Sequence, residues 1–333
     1  MSNYTISLEE EIEKTDLQNV EFVFADWGKG KELLSKPDDY VNNLTEYDLS
    51  IRLKSTDPVT KKEYLDYASS QVLNWTVEEQ KLMKAVVKEI KLLGKDYKLM
   101  FPKTIYFIQT TGQEESGADY CRGLNAIIIP KNKILPEFNS MEDYMYEIVN
   151  ENRKQFLDEQ LLRFCLLNLF DLYLGNNPKI KEKLCNSIGY YKTGSLKLPT
   201  EAEKRRISIP RFENKYYFKG IVGDEELNLM PLFFSNLKYD ERIGGNLGEY
   251  IRFAFVRVNI GKECTPIMRN GKIRIVNREY VENYMATIGY NTKYIDCPED
   301  ILAENFVLLL QKISWVQSPS IISKMKEILE SGE

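Results

Sequence analysis

The sequence predicts an α+β fold, and three observations predict it. Two long segments, residues 76–94 and 155–174, place apolar side chains at helical spacing. Short runs of β-branched and aromatic residues cluster at 104–109, 125–129 and through 212–277. Strands and helices do not alternate regularly, which argues against a doubly wound parallel sheet.

Taken in order, residues 20–25 and 47–53 each read as a short strand. Thr76 and Glu79 then form a capping box, in which each side chain satisfies a free backbone N–H at a helix start. Leu82, Val86, Ile90 and Leu93 follow on one face, and Gly94 reads as the end. Residues 104–109 read as a buried strand and 125–129 as a second, closed by Pro130. Between them, 110–123 reads as a long loop, with Glu114 and Glu115 as loop charges. The helix at 155–174 stops at Gly175, and Asn177-Pro178 opens a short helix over 179–188. Strands are expected at 215–219, 227–234, 250–258 and 272–276, with a turn at Gly244-Gly245. Helices are expected at 278–288, at 298–312 with Pro298 in the first turn, and at 319–329 with Ser318 as N-cap. The chain is thus read as an N-terminal extension, 1–46, and a main region, 47–333. The main region holds a long helix at about 155–175, a strand-rich insert at 212–277 and C-terminal helices at 278–331.

Composition narrows the function classes. With 333 residues, 43% of them hydrophobic, the chain can bury a sizeable core. A net charge of -5 makes it a poor sequence-independent nucleic-acid binder. The basic run Lys204-Arg205-Arg206 reads as a solvated face. The stretch around 161–174 is interrupted by Arg163, Asn168 and Asp171, so no membrane span is expected. No signal-peptide pattern is visible at the N-terminus, and the five cysteines are scattered without a C-x-x-C pair. These features predict a cytoplasmic protein with reduced thiols. The chain contains no histidine at all, which removes imidazole as ligand, base or nucleophile partner.

The run from Thr110 to Gly123 (TTGQEESGADYCRG), followed by Asn125 to Pro130, resembles a segment of a poorly characterised group of bacterial gluzincin-like proteins. Those proteins look like zinc metallopeptidases carrying HExxH on a helix that ends near an Asn-Asn-Pro-type turn. Asn176-Asn177-Pro178 stands where that turn belongs, which puts the HExxH slots at Leu167, Asn168, Leu169, Phe170 and Asp171. The stretches 288–295 and 298–306 resemble the group's second motif, with Asp300 in the place of a Glu ligand and Glu304 in that of its supporting carboxylate. The resemblance covers roughly residue 47 to the C-terminus. It implies a zincin-like fold, with the active-site-type helix beside a small mixed sheet.

The chemistry of the motif does not carry over. HExxH needs two imidazoles at i and i+4 on one metal, and a Glu between them to take a proton from metal-bound water. Leu167 cannot ligate and Asn168 cannot act as a base. The expected function is therefore a catalytically inactive metallopeptidase-like protein, binding an extended peptide along a sheet edge at Asn125, Ile127 and Ile129. Three alternatives stand beside it. One is a residual metal enzyme in which Asp171, Asp300 and Glu304 hold a hard divalent cation, zinc being disfavoured by oxygen-only ligands. The others are a histidine-free variant of an active zinc peptidase and a purely structural interaction protein. Under the first expectation no cofactor is required, and the partner is a peptide or protein.

Overall fold

The computed structural model describes residues 13–115, 117–134 and 151–332, the side chains of 151–158 excepted. Helices and strands are mixed without strict alternation, as an α+β fold requires. The first sheet packs on a long central helix, Glu151–Asn176, and a second sheet packs on the helix that follows it.

The first sheet has four strands in the order Glu21–Phe24, Thr104–Thr110, Ala126–Pro130, Tyr120–Arg122. The first two pairings are parallel and the last is antiparallel, so the sheet is mixed. Its edge strand Glu21–Phe24 lies before residue 47, so this part of the N-terminal segment belongs to the sheet. The second sheet is an antiparallel meander through Tyr190–Lys192, Tyr216–Val222, Glu225–Phe234 and Arg252–Asn259. Gly223, at φ +59°, makes the two-residue turn between the middle pair, a conformation that favours a residue without Cβ.

One core joins these layers. It takes Phe107 and Ile127 from the first sheet, Leu166 and Phe170 from the central helix, Phe218 and Phe255 from the second sheet, and Phe306 and Met325 from the C-terminal helices. The central helix buries Leu161, Cys165, Leu169 and Leu172 on one face and Leu166, Phe170, Tyr173 and Leu174 on another. A helix apolar on two faces must be covered on both. Phe170 stacks on Phe306 of the helix Pro298–Leu310, with ring centroids 4.3 Å apart, and this fixes the contact between the two helices.

Several expectations need correction. Residues 47–53 form a helix, Glu46–Leu53, where a strand was expected. Thr45 and Asp48 make a capping box at its start, and that local bonding outweighs the β-favouring side chains. The 110–123 loop contains a short 3-10 turn, Gln113–Glu115, and the strand Tyr120–Arg122. Glu114 and Glu115 are buried within it. The helix expected at 278–288 is broken into Arg278–Tyr280 and Tyr284–Ile288. Between these pieces the Glu282 N–H donates to the Ile221 carbonyl, and Asn283 bonds both the Ile221 N–H and the Lys219 carbonyl, so the sheet draws the backbone out of the helix. The strand expected at 272–276 is interrupted, as Lys272–Ile273 and Ile275–Val276. Gly94 does end its helix, but for a different reason than a left-handed cap. A Cβ there would stand 2.5 Å from the Leu17 side chain, so the residue permits close packing.

The burial of Glu115 reveals a polar core. Arg52 Nε donates to both Glu115 oxygens at 3.1 Å, Nη1 to Asp48 at 2.5 Å and Nη2 to the Ser208 carbonyl at 2.7 Å. The Tyr40 and Tyr64 hydroxyls donate to Glu115 at 2.5 and 2.7 Å. Without Arg52 the Asp48 and Glu115 carboxylates stay buried with neutral donors but no countercharge. Arg52→Met is therefore expected to lower the unfolding free energy by roughly 3–5 kcal/mol. Urea denaturation should show a lower midpoint at unchanged slope; an unchanged midpoint would show that the network is dispensable.

Candidate functional site

The central helix carries the motif slots, and each has a different surrounding. Leu167 packs half-buried against the main core. Asn168 is buried and acts as a peg: its Nδ2 donates to the Asp119 carboxylate and to the Phe164 carbonyl. Its backbone carbonyl accepts the Cys121 thiol at 3.1 Å. Leu169 and Phe170 are core residues. Asp171 is half-buried and is the motif slot that meets a cleft. It lines a cleft of about 890 Å³ together with Cys121, Gly175, Lys181, Arg211 and Glu299.

Local sequence explains the walls. Asn176 Nδ2 bonds the Leu124 and Leu172 carbonyls, and Asn177 Nδ2 bonds those of Met100 and Tyr173. The Asn-Asn-Pro turn thus ties the helix end to the first sheet's hairpin and opens the next helix, Pro178–Ser187. That helix brings Lys181 to the cleft, where its ammonium lies 2.7 Å from Glu299 and 3.3 Å from Glu213. Burial lowers the Lys181 pKa, but Glu299 and Glu213 outweigh it and hold the ammonium above its ordinary value. Glu299 comes from the first turn of Pro298–Leu310, beside Asp300.

The acids are perturbed in one direction. Burial, then the neighbouring Asp300, holds the Asp171 carboxyl well above the usual carboxylate range, and Arg211 and Lys181 offset this only in part. Burial pushes Asp300 up to about 6. The Cys121 thiol is pushed up to about 12 by burial, against the opposing charge of Arg211, so it lacks the thiolate character of a nucleophile. All five cysteines are buried and free.

The structure brings Asp171 and Asp300 near one another but separates Glu304, whose carboxylate is bonded by Arg163. Among the described residues, no three His, Cys, Asp or Glu side chains gather where they could hold a metal ion. The residues present do not fit the zinc of an HExxH site, because its two imidazole slots hold Leu167 and Asp171.

The peptide-pairing edge also requires correction. The strand Ala126–Pro130 is interior, bonded to Thr104–Thr110 on one side and to Tyr120–Arg122 on the other. The Asn125 carbonyl accepts the Tyr106 N–H at 2.8 Å, and Ile127 and Ile129 are buried. None of the three presents a free backbone edge. The basic run is likewise structural at one position: Arg206 bonds Glu203, the Ser208 hydroxyl and the Asn43 carbonyl.

The residues that sequence reading passed over are Lys181, Arg211 and Glu299. Lys181 had a usable signal, since it lies three residues past the Pro that starts its helix and shares that helix's inner face with Leu184 and Cys185. Arg211 had none. It adopts φ +65°, a left-handed conformation uncommon for a residue with a Cβ, and no local pattern announces that. Among the described residues no helix is long and apolar enough to cross a membrane. No family model, no curated protein and no solved structure matches the chain.

The raised Asp300 carboxyl sets a pH dependence. A carboxyl whose folded pKa lies above its unfolded value of 3.8 favours the fold while protonated, and that contribution is lost as pH rises through about 6. Asp300→Asn removes the titration. The variant is expected to exceed the wild type in stability by about 1–2 kcal/mol at roughly pH 8, with the gap closing near about pH 4. Thermal or urea unfolding across that range checks it, and a gap independent of pH would assign the effect to packing.

Proposed function

We propose that this protein is a catalytically silent, metallopeptidase-like binding protein that holds an extended peptide in the cleft at the end of its central helix. The observation that carries the reading is the position of Asp171. It occupies the slot of the second imidazole in the resembled motif, and of the motif slots it is the one turned toward a cleft of about 890 Å³. That volume suits a short peptide or a drug-sized ligand. The long helix beside a mixed sheet is in keeping with a zincin-like scaffold, and the Asn-Asn-Pro turn sits at the helix end as the resemblance implies.

The surroundings favour recognition over turnover. The cleft offers cations and carboxyl groups on rigid elements, but no imidazole, and its one thiol is held protonated. Peptide binding here uses these side chains, since the interior strand Ala126–Pro130 has no edge to lend.

Calorimetric titration with pooled short peptides is expected to give saturable binding with dissociation constants of roughly 1–100 μM. Fluorogenic peptides should remain intact with or without added zinc. Chelator-sensitive cleavage by the purified chain would overturn the reading. The scaffold half of the proposal has its own measurement. Leu167→His combined with Asp171→His places two imidazoles at i and i+4, and the variant should gain one zinc per chain, read by competition with a chromogenic chelator. A folded double variant with no zinc affinity would count against the metallopeptidase-like scaffold.

A further inference from the structure

We infer that Arg211 is the anchor for the C-terminal carboxylate of the bound peptide, with Asp171 accepting an N–H group from a residue that precedes it. The inference rests on the peptide-cleft reading above and names the end of the ligand that the cleft selects.

The cations around the cleft are not equivalent. Lys181 is paired with Glu299 and Glu213, Arg206 with Glu203, and Lys215 with Glu213 at 3.5 Å. Among the described residues, neither Lys197 nor Arg211 has a carboxylate within ion-pair distance; Lys197 is exposed, whereas Arg211 is half-buried against the cleft wall. One of its Nη groups donates to the Gly123 carbonyl, while its Nε–H is buried without a hydrogen-bond partner. A buried donor left unsatisfied costs about 1–3 kcal/mol, and one on a charged group costs more. The guanidinium is also held in place. A Cβ at Gly175 would lie 2.8 Å from its Nη1, so a larger residue there would push the guanidinium aside. The left-handed backbone of Arg211 adds roughly 1–3 kcal/mol of strain, a cost found where a side chain is fixed for a task. The Nε–H is enclosed by protein, so the Nη groups, on the exposed side of the guanidinium, are the donors left to a carboxylate.

The opposite charge in the cleft identifies the rest of the ligand. Glu299 is buried and faces Lys181 at 2.7 Å, so it sets the charge of the wall. Asp171 lines the same space, and its carboxyl can accept a backbone N–H. A peptide C-terminus supplies one carboxylate and a series of backbone N–H groups, which matches a half-buried cation without an acidic partner beside that carboxyl. A phosphate monoester would bring close to two negative charges and acceptor oxygens against these acids.

The test uses two pentapeptide pools of identical composition, both N-acetylated, one with free C-terminal carboxylates and one amidated. With the wild-type chain, the free-acid pool should bind about 10- to 100-fold tighter than the amide pool. Arg211→Gln should abolish that preference by lowering free-acid binding to the level of the amide pool. Gly175→Ala, which displaces the guanidinium without removing its charge, should reduce the preference as well. It serves as the second variant if Arg211→Gln unfolds, as judged by circular dichroism. Equal binding of the two pools by the wild type overturns the carboxylate anchor and leaves the peptide cleft standing. Binding of neither pool overturns both. A preference that survives in both folded variants assigns the carboxylate to another cation and overturns the role of Arg211.

Discussion

The cleft exists because one buried guanidinium holds three distant segments together. Arg52 reaches Asp48 on its own helix, Glu115 in the turn between two sheet strands, and the carbonyl of Ser208. Ser208 starts the segment that leads to Arg211, and Glu115 lies in the turn that leads to Cys121 and Gly123. Two walls of the cleft are therefore referred to one ion cluster that water does not reach. Such a cluster contributes little net stability compared with an apolar core of similar volume. What it supplies is registration, because guanidinium geometry fixes where each partner must stand.

The central helix is the second organising constraint. It is covered on two faces, so a polar residue on it must either find a partner or face an opening. Asn168 takes the first course through Asp119, and Arg163 does so through Glu304. Asp171 takes the second. The same helix that would present a metal in the resembled proteins here spends its polar positions on tethers, and leaves one acid at the mouth of a cleft. Phe170 locks the adjacent position against Phe306, which brings the helix bearing Glu299 and Asp300 alongside.

Much of the secondary structure was legible from the chain, and the reasons are local. The Thr76 capping box, the strand pair at 104–109 and 125–129, and the helices opened by Pro178, Pro298 and Pro319 each rest on signals within a few residues. The misreading at 47–53 came from weighing side-chain shape above the Thr45–Asp48 cap. Ile127 and Ile129 lie on a strand as expected, while Asn125 lies in the turn that precedes it. Whether that strand is interior depends on Tyr120–Arg122 folding back on it, which is a pairing between segments and not a property of either. The same applies to the site. Asp171 could be singled out from a motif position, but Lys181, Glu299 and Arg211 arrive from three separate elements. The left-handed turn at Arg211 has no signature in a run that reads Ser-Ile-Pro-Arg-Phe. Glu115 illustrates the converse, since consecutive acids suggest solvent until an arginine from an earlier helix pairs with the second of them.

The parallel pairing of Glu21–Phe24 with Thr104–Thr110 constrains how the molecule comes into being. A strand near the start of the chain must wait for a partner about eighty residues later, and every helix between them has to be in hand before the two can meet. Closing so long a loop costs entropy before any ladder bond repays it. Assembly of the first sheet is thus a late, high-contact-order event for its outermost strand. Until it occurs, the edge of Thr104–Thr110 stands open to pairing with any other extended segment, a hazard that a ribosome-bound nascent chain meets before it is complete.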